Sequence, residues 1–140
     1  MKIKFTNAPQ YYYAKCTNTQ KAAYTIIYEG LTTFKDEIVI SNVSAEDISK
    51  IFTGLLLDNP IVFYVSSYNV TINYSKNIFT LCPIYKYDKR SVLGYFESIS
   101  NYLSRFNKLL PMNDLYKEIH VNDYCIENIK YDYSFNKYSY

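Results

Sequence analysis

With 140 residues, 49% of them apolar and 20% charged, the chain has the size and composition of one ordinary folded domain, or one plus the beginning of another, and the composition argues against disorder. A formal net charge of +2, with both signs interspersed, argues against a field strong enough to hold nucleic acid or an anionic membrane. No apolar run reaches bilayer-spanning length, so no membrane span is expected, and the opening MKIKFTNAPQ lacks an apolar signal core, which favours the cytoplasm while leaving the compartment open.

Residues 1–20 mix alternating apolar positions (Ile3, Phe5) with Pro9 and the run Tyr11-Tyr12-Tyr13, and are read as an extended lead-in. From Lys21, the spacing of Ala23, Ile27, Leu31 and Phe34 predicts one face of a helix, weakened near its end by Gly30. Glu37 to Ser41 is short and β-branched, as a strand would be. Ser44-Ala45-Glu46-Asp47 has the form of a capping box. The helix it opens has Ile48, Phe52, Leu55 and Leu56 as its buried stripe and ends at Asp58-Asn59-Pro60, because Pro lacks the N–H that a helix needs.

Three segments rich in Val, Ile, Phe and Tyr follow: Ile61 to Val65, Tyr68 to Tyr74 and Ile78 to Tyr85. Ser66-Ser67 and Ser75-Lys76-Asn77 separate them, which predicts an antiparallel meander with Pro83 at an edge or a bulge. Asp88 is placed to cap a long amphipathic helix through Val92, Tyr95, Phe96, Ile99, Tyr102, Leu103, Phe106 and Leu110. After Pro111, Asn113 and Asp114 signal the start of a last helix, whose stripe is Leu115, Ile119, Asn122, Ile126 and Ile129. The reading is an α+β chain: a module of helices on a small antiparallel sheet over residues 1–110, then a further helix over 111–140.

Asp123-Tyr124, Asn128-Ile129 and Tyr131-Asp132 stand at the spacing of the helix that opens the catalytic core of transglutaminase-like proteins, relatives of papain-type thiol enzymes, and the chain resembles that family there. Asn122 stands where the family usually has His, and Cys125 where Leu is usual. The segment from Asp58 to Val65, with Cys82-Pro83-Ile84-Tyr85, is similar to the module that precedes the core in many bacterial members. The resemblance implies that residues 111–140 are the start of a papain-like core, and that the family's nucleophilic Cys, His and Asp lie beyond Tyr140. It further implies that the complete protein performs acyl transfer or amide hydrolysis through a Cys thioester. The expected partners are then the catalytic half and, for the complete enzyme, a protein or peptide substrate. Tyr131 and Asp132 would either fix the direction of the chain as it enters that half or form an ordinary polar helix end.

No catalytic, cofactor-binding or metal-binding residue is assigned within the 140, and no cofactor is expected. Cys16, Cys82 and Cys125 are widely spaced without a Cys-x-x-Cys pair, which supports neither a disulfide framework nor a zinc site; reduced thiols are the default. His120 is the single imidazole, and Cys125, five residues on, points well away from it around the helix, filling space that Leu normally takes. Glu118, His120 and Asp123 offer metal-type ligands without a metal-type spacing, and read as a solvated face. Alternating Tyr and Lys around Ile84 to Tyr87 suit either base stacking or a strand with an aromatic face and snorkelling lysines; with so small a charge, nucleic acid is not an expected partner. The 18 tyrosines accompany abundant Lys, Asn and Ile, a bias that also follows from an AT-rich genome. The rival to the thiol-enzyme reading is a complete small non-enzymatic binding protein that uses a Tyr-rich ligand or partner surface.

Overall fold

The computed structural model describes residues 10–129, and the chain divides into two compact units, Met1–Leu93 and Gly94–Tyr140. The alternation at Ile3 and Phe5, the Tyr131-Asp132 pair and the stretch 133–140 lie outside the described residues. In order, the elements are α1 (Tyr11–Lys15), α2 (Asn18–Thr32), β1 (Ile38–Ser41), α3 (Ala45–Asp58), β2 (Val65–Asn73), β3 (Ile78–Tyr85), α4 (Lys89–Asn107) and α5 (Asp114–Asn128). The fold is α+β, with a three-stranded antiparallel sheet in the order β1-β3-β2.

In the first unit, register decides which face is buried. Ile38 stands opposite Leu81 and Ile40 opposite Phe79, so four apolar side chains line one face of the sheet, and all four are buried. Ala23, Tyr24, Ile27 and Leu31 of α2 and Ile48, Ile51, Phe52 and Leu55 of α3 complete the core. Phe52 meets Tyr68 of β2 with ring centroids 4.4 Å apart, and Gly30 of α2 lies directly against Ile38 of β1.

Capping fixes the helix starts. Thr17 and Gln20 form a reciprocal capping box on α2, and Ser44 with Asp47 forms another on α3, as its sequence predicts. Asp88 accepts from the backbone N–H of Ser91 at 2.9 Å, and the Asn113 side chain accepts from that of Leu115 at 2.9 Å, so both expected caps of the later helices are in place. The end of α2 is a Schellman turn: the N–H of Lys35 donates to the Gly30 carbonyl at 3.0 Å and that of Phe34 to the Leu31 carbonyl at 3.2 Å. Phe34 takes the left-handed position, with φ at 58°, where Gly or Asn is usual. Its ring packs against Tyr64, stacked at 4.8 Å, and Tyr85, tilted at 5.0 Å, which also meet each other at 6.3 Å, contacts that offset the backbone cost.

Several expectations are corrected. Residues 11–15 and 18–20 are helical rather than extended. Ile61 to Val65 is not a strand: Pro60–Val62 is a 3-10 turn that buries Val62, and β2 begins only at Val65. Ser66 and Ser67 are part of β2, which bulges between Val65 and Ser67, so the three-strand meander is one hairpin, β2–β3, with β1 added on the far side of β3. Pro83 sits in the central strand, two residues past the last rung shared with β1, Leu81 with Ile38, so β3 is an edge on that side at Pro83.

A Cβ on Gly30 would stand 2.4 Å from Cδ1 of Ile38. Gly30→Ala is therefore expected to destabilise the chain by ~1–3 kcal/mol in urea unfolding, although alanine is the better helix former, and Ile38→Val is expected to recover part of the loss.

Candidate functional site

Three places in the described residues bring chemistry-bearing or apolar groups together, and they differ in what they leave open. The first is a polar knot at the end of α3. The Asp58 carboxylate, 8% exposed, accepts from the backbone N–H of Tyr12 at 3.1 Å, the N–H of Tyr13 at 2.9 Å and the Tyr24 hydroxyl at 3.1 Å. The Asn59 side chain donates to the Tyr24 oxygen at 2.7 Å and to the Leu55 carbonyl at 2.8 Å. Tyr12 and Tyr13 belong to the first turn of α1, whose N-cap residue, Gln10, makes no side-chain cap. Asp58 thus caps α1 from 46 residues away, meeting its positive end with a negative charge. Every group here has its partner, so the knot is structural. Beside it an open hollow of about 440 Å³ lies over Ser49, Thr53 and Gly54, with Tyr12 as its one aromatic lining residue. Its cation, Lys50, is paired with Glu46 at 2.7 Å.

The second place is the aromatic group around Phe34. The Tyr64 hydroxyl donates to the Leu31 carbonyl at 3.3 Å and the Tyr85 hydroxyl to the Lys35 carbonyl at 2.8 Å. Burial pushes both phenols up to about 12; the neighbouring Tyr85 and Tyr28 add to the effect at Tyr64, and Asp36 adds to it at Tyr85. Burial, with Asp58 alongside, raises Tyr24 as well. Of the Tyr-Lys run, Tyr85 has its ring tilted against Phe34 and its hydroxyl committed to the Lys35 carbonyl, an arrangement that holds the turn after α2 in place.

The third place is the helical hairpin of the second unit. Phe106 meets Tyr124 at 5.0 Å and the His120 ring at 5.7 Å, and the Tyr102 and Tyr124 hydroxyls are hydrogen-bonded. The face that α5 turns to α4 is therefore built around His120 and Tyr124. At 3.6 residues per turn Ile126 is rotated ~200° and Ile119 ~140° from Tyr124, so the predicted stripe lies on the far side of α5. Leu115 is 63% exposed, Ile119 46%, Ile126 71% and Ile129 66%, and Asn122 between them is exposed too. Nothing in α5 is buried.

No protein-family model and no curated protein matches this chain. The described geometry is accordingly the ground for a functional reading. Among the described residues no group of three or more His, Cys, Asp or Glu could hold a metal ion. On α5 Glu118 and His120 point to different sides of the helix, and Cys125 is half-buried, ~140° round from His120. The Cys16 thiol donates to the Tyr12 carbonyl at 3.3 Å, and burial pushes its pKa up, the reverse of what a nucleophile requires. No helix among the described residues is long and apolar enough to cross a membrane. Sequence reasoning found the α5 stripe from its spacing but missed the Asp58 knot, whose parts are 46 residues apart and carry no local signal.

Two measurements follow from the buried groups. Asp58→Ala leaves the first-turn N–H groups of α1 without an acceptor and is expected to cost ~2–4 kcal/mol and to open the chain to proteases near residues 11–15. Tyr64 and Tyr85 hold their protons up to about 12, whereas an unfolded phenol releases its proton near ~10. Between those values the unfolded state binds fewer protons, so stability falls as pH rises through that window and is fully present below it. Tyr64→Phe is expected to flatten that fall in urea midpoints measured against pH.

Proposed function

We propose that the chain is a non-catalytic protein-interaction module, in which an α+β unit is followed by a helical hairpin whose outer stripe, Leu115, Ile119, Ile126 and Ile129, seats another polypeptide. The observation that carries the reading is that α5 meets α4 through one face and leaves a more regular apolar face open on the other side. Three branched aliphatic side chains on one exposed helix face, with Ile129 exposed at the C-cap just beyond, lower solubility and are of use against a partner.

A second reading is favoured by the close of the same helix. Asp123-Tyr124 and Asn128-Ile129 stand at the spacing of the first core helix of transglutaminase-like proteins. On that reading α5 opens a papain-like core, the covering polypeptide is the catalytic half, and the complete protein performs acyl transfer or amide hydrolysis on a protein or peptide through a Cys thioester. The coding DNA past codon 140 separates the two: an open frame bringing a Cys followed by a His and an Asp supports the enzyme, and an immediate stop supports the free-standing module.

The interaction reading is tested by Ile119→Gln combined with Ile126→Gln. Stability is expected to stay within ~0.5 kcal/mol of the parent, as for exposed sites, while binding of a hydrophobic dye falls. A loss above ~2 kcal/mol would place the stripe in the chain's own core and end the reading.

A further inference from the structure

Within α5 the stripe repeats at 115, 119, 122 and 126, steps of four, three and four, which is a heptad seam of period 3.5 with one polar member, Asn122; Ile129, three residues on, is the extended C-cap residue that follows the helix. Such a seam is suited to a single facing helix, because each apolar knob enters a hole between four residues of the partner. The residues flanking the seam decide which helix. Glu118 precedes Ile119 and Asp123 follows Asn122, one on each flank, and neither makes an ion pair among the described residues. Over Asp114–Asn128 the acids are Asp114, Glu118, Asp123 and Glu127 and the one base is Lys117, so α5 carries a net −3 within a chain whose net charge is +2. Lys117 is bonded to Asp114 at 2.7 Å and stands on the side facing α4, away from the seam.

We infer that the occupant of this seam is an amphipathic basic helix of a protein partner, with an apolar stripe flanked by Lys or Arg that pair with Glu118 and Asp123. The inference rests on the interaction reading and adds the chemistry of the partner to it. Charge separates this occupant from the alternatives. A second copy of α5 aligned in parallel would set Glu118 against Asp123 of its mate, and any pairing of two such helices adds like charges. An anionic membrane surface attracts helices flanked by Lys and Arg, the opposite of what α5 presents.

The test uses the whole chain and two synthetic three-heptad peptides with identical core positions, Leu and Ile except for one Asn placed to face Asn122, one peptide flanked by Lys and one by Glu, read by fluorescence anisotropy. The Lys peptide is expected to bind saturably, at least ~tenfold more tightly than the Glu peptide, with the difference shrinking as salt is raised. Glu118→Lys with Asp123→Lys is expected to reverse the preference, and Ile119→Gln with Ile126→Gln to abolish binding of both, with unchanged helix content by circular dichroism. Equal binding of the two peptides, lost in the Ile variant, would overturn the charge inference and leave the interaction reading standing. Binding of neither peptide overturns the inference, and the unfolding measurement on the Ile variant then decides the reading by itself. A dimer in sedimentation that the Ile variant dissolves, or tighter association with anionic vesicles than with the Lys peptide, would likewise overturn the basic-helix assignment.

Discussion

The first unit depends on where one carboxylate goes. Asp58 is the last residue of α3, where a negative charge faces the negative end of its own helix and is out of place. It is stable there because the start of α1 needs what it has: two N–H groups of the first turn and the Tyr24 hydroxyl converge on its two oxygens. The same three bonds fix the end of α3, the start of α1 and the middle of α2. Gly54, one turn before Asp58, lets Tyr12 of α1 come close; a Cβ there would stand 2.8 Å from that of Tyr12. The contact and the carboxylate work together, and neither is visible from either segment alone.

That arrangement explains which parts of the fold could be read from the sequence. The Ser44, Asp88 and Asn113 caps act over two or three residues, so their signals sit beside the helices they start. The capping box of α2 is equally local, Thr17 with Gln20, but the apolar period begins only at Ala23, and starting the helix from the period put it three residues late. α1 has no local cap, and its Tyr run carries β propensity, so the extended reading followed from everything nearby. The segment Ile61 to Val65 failed for another reason. Val62, Tyr64 and Val65 are buried, yet Pro60 starts a tight turn, and Val62 and Tyr64 reach the core without a ladder.

The candidate site was half legible. Spacing identified the α5 stripe residue by residue, because periodicity reports that a face is apolar. It does not report what covers the face, and here the neighbouring helix lies against the other side. The covering contacts use Phe106, Tyr102, His120 and Tyr124, amphipathic or aromatic groups whose period on α5 is masked by the stronger Leu and Ile signal. A helix with two unlike faces reads from sequence as one with a single strong face, and the weaker face, which meets Tyr102 and Phe106 of α4, carries no periodic signal of its own.

The two faces also differ in the kind of contact they can make. Tyr124 and His120, one turn apart, meet the rings of Tyr102 and Phe106 of α4 through edges, planes and a hydroxyl pair, contacts that need no strict repeat along the helix. The outer stripe keeps step at 3.5 residues over three intervals within α5, from Leu115 to Ile126, a regularity that suits a facing helix wound along it. Asn122 in the middle of that stripe weakens a generic apolar contact and penalises slipped registers, since a one-heptad shift would bring it against an aliphatic side chain with its amide unpaired. On the proposed reading, Asn122 would therefore set the register of the partner helix, with the α4 side of α5 as the support of the stripe.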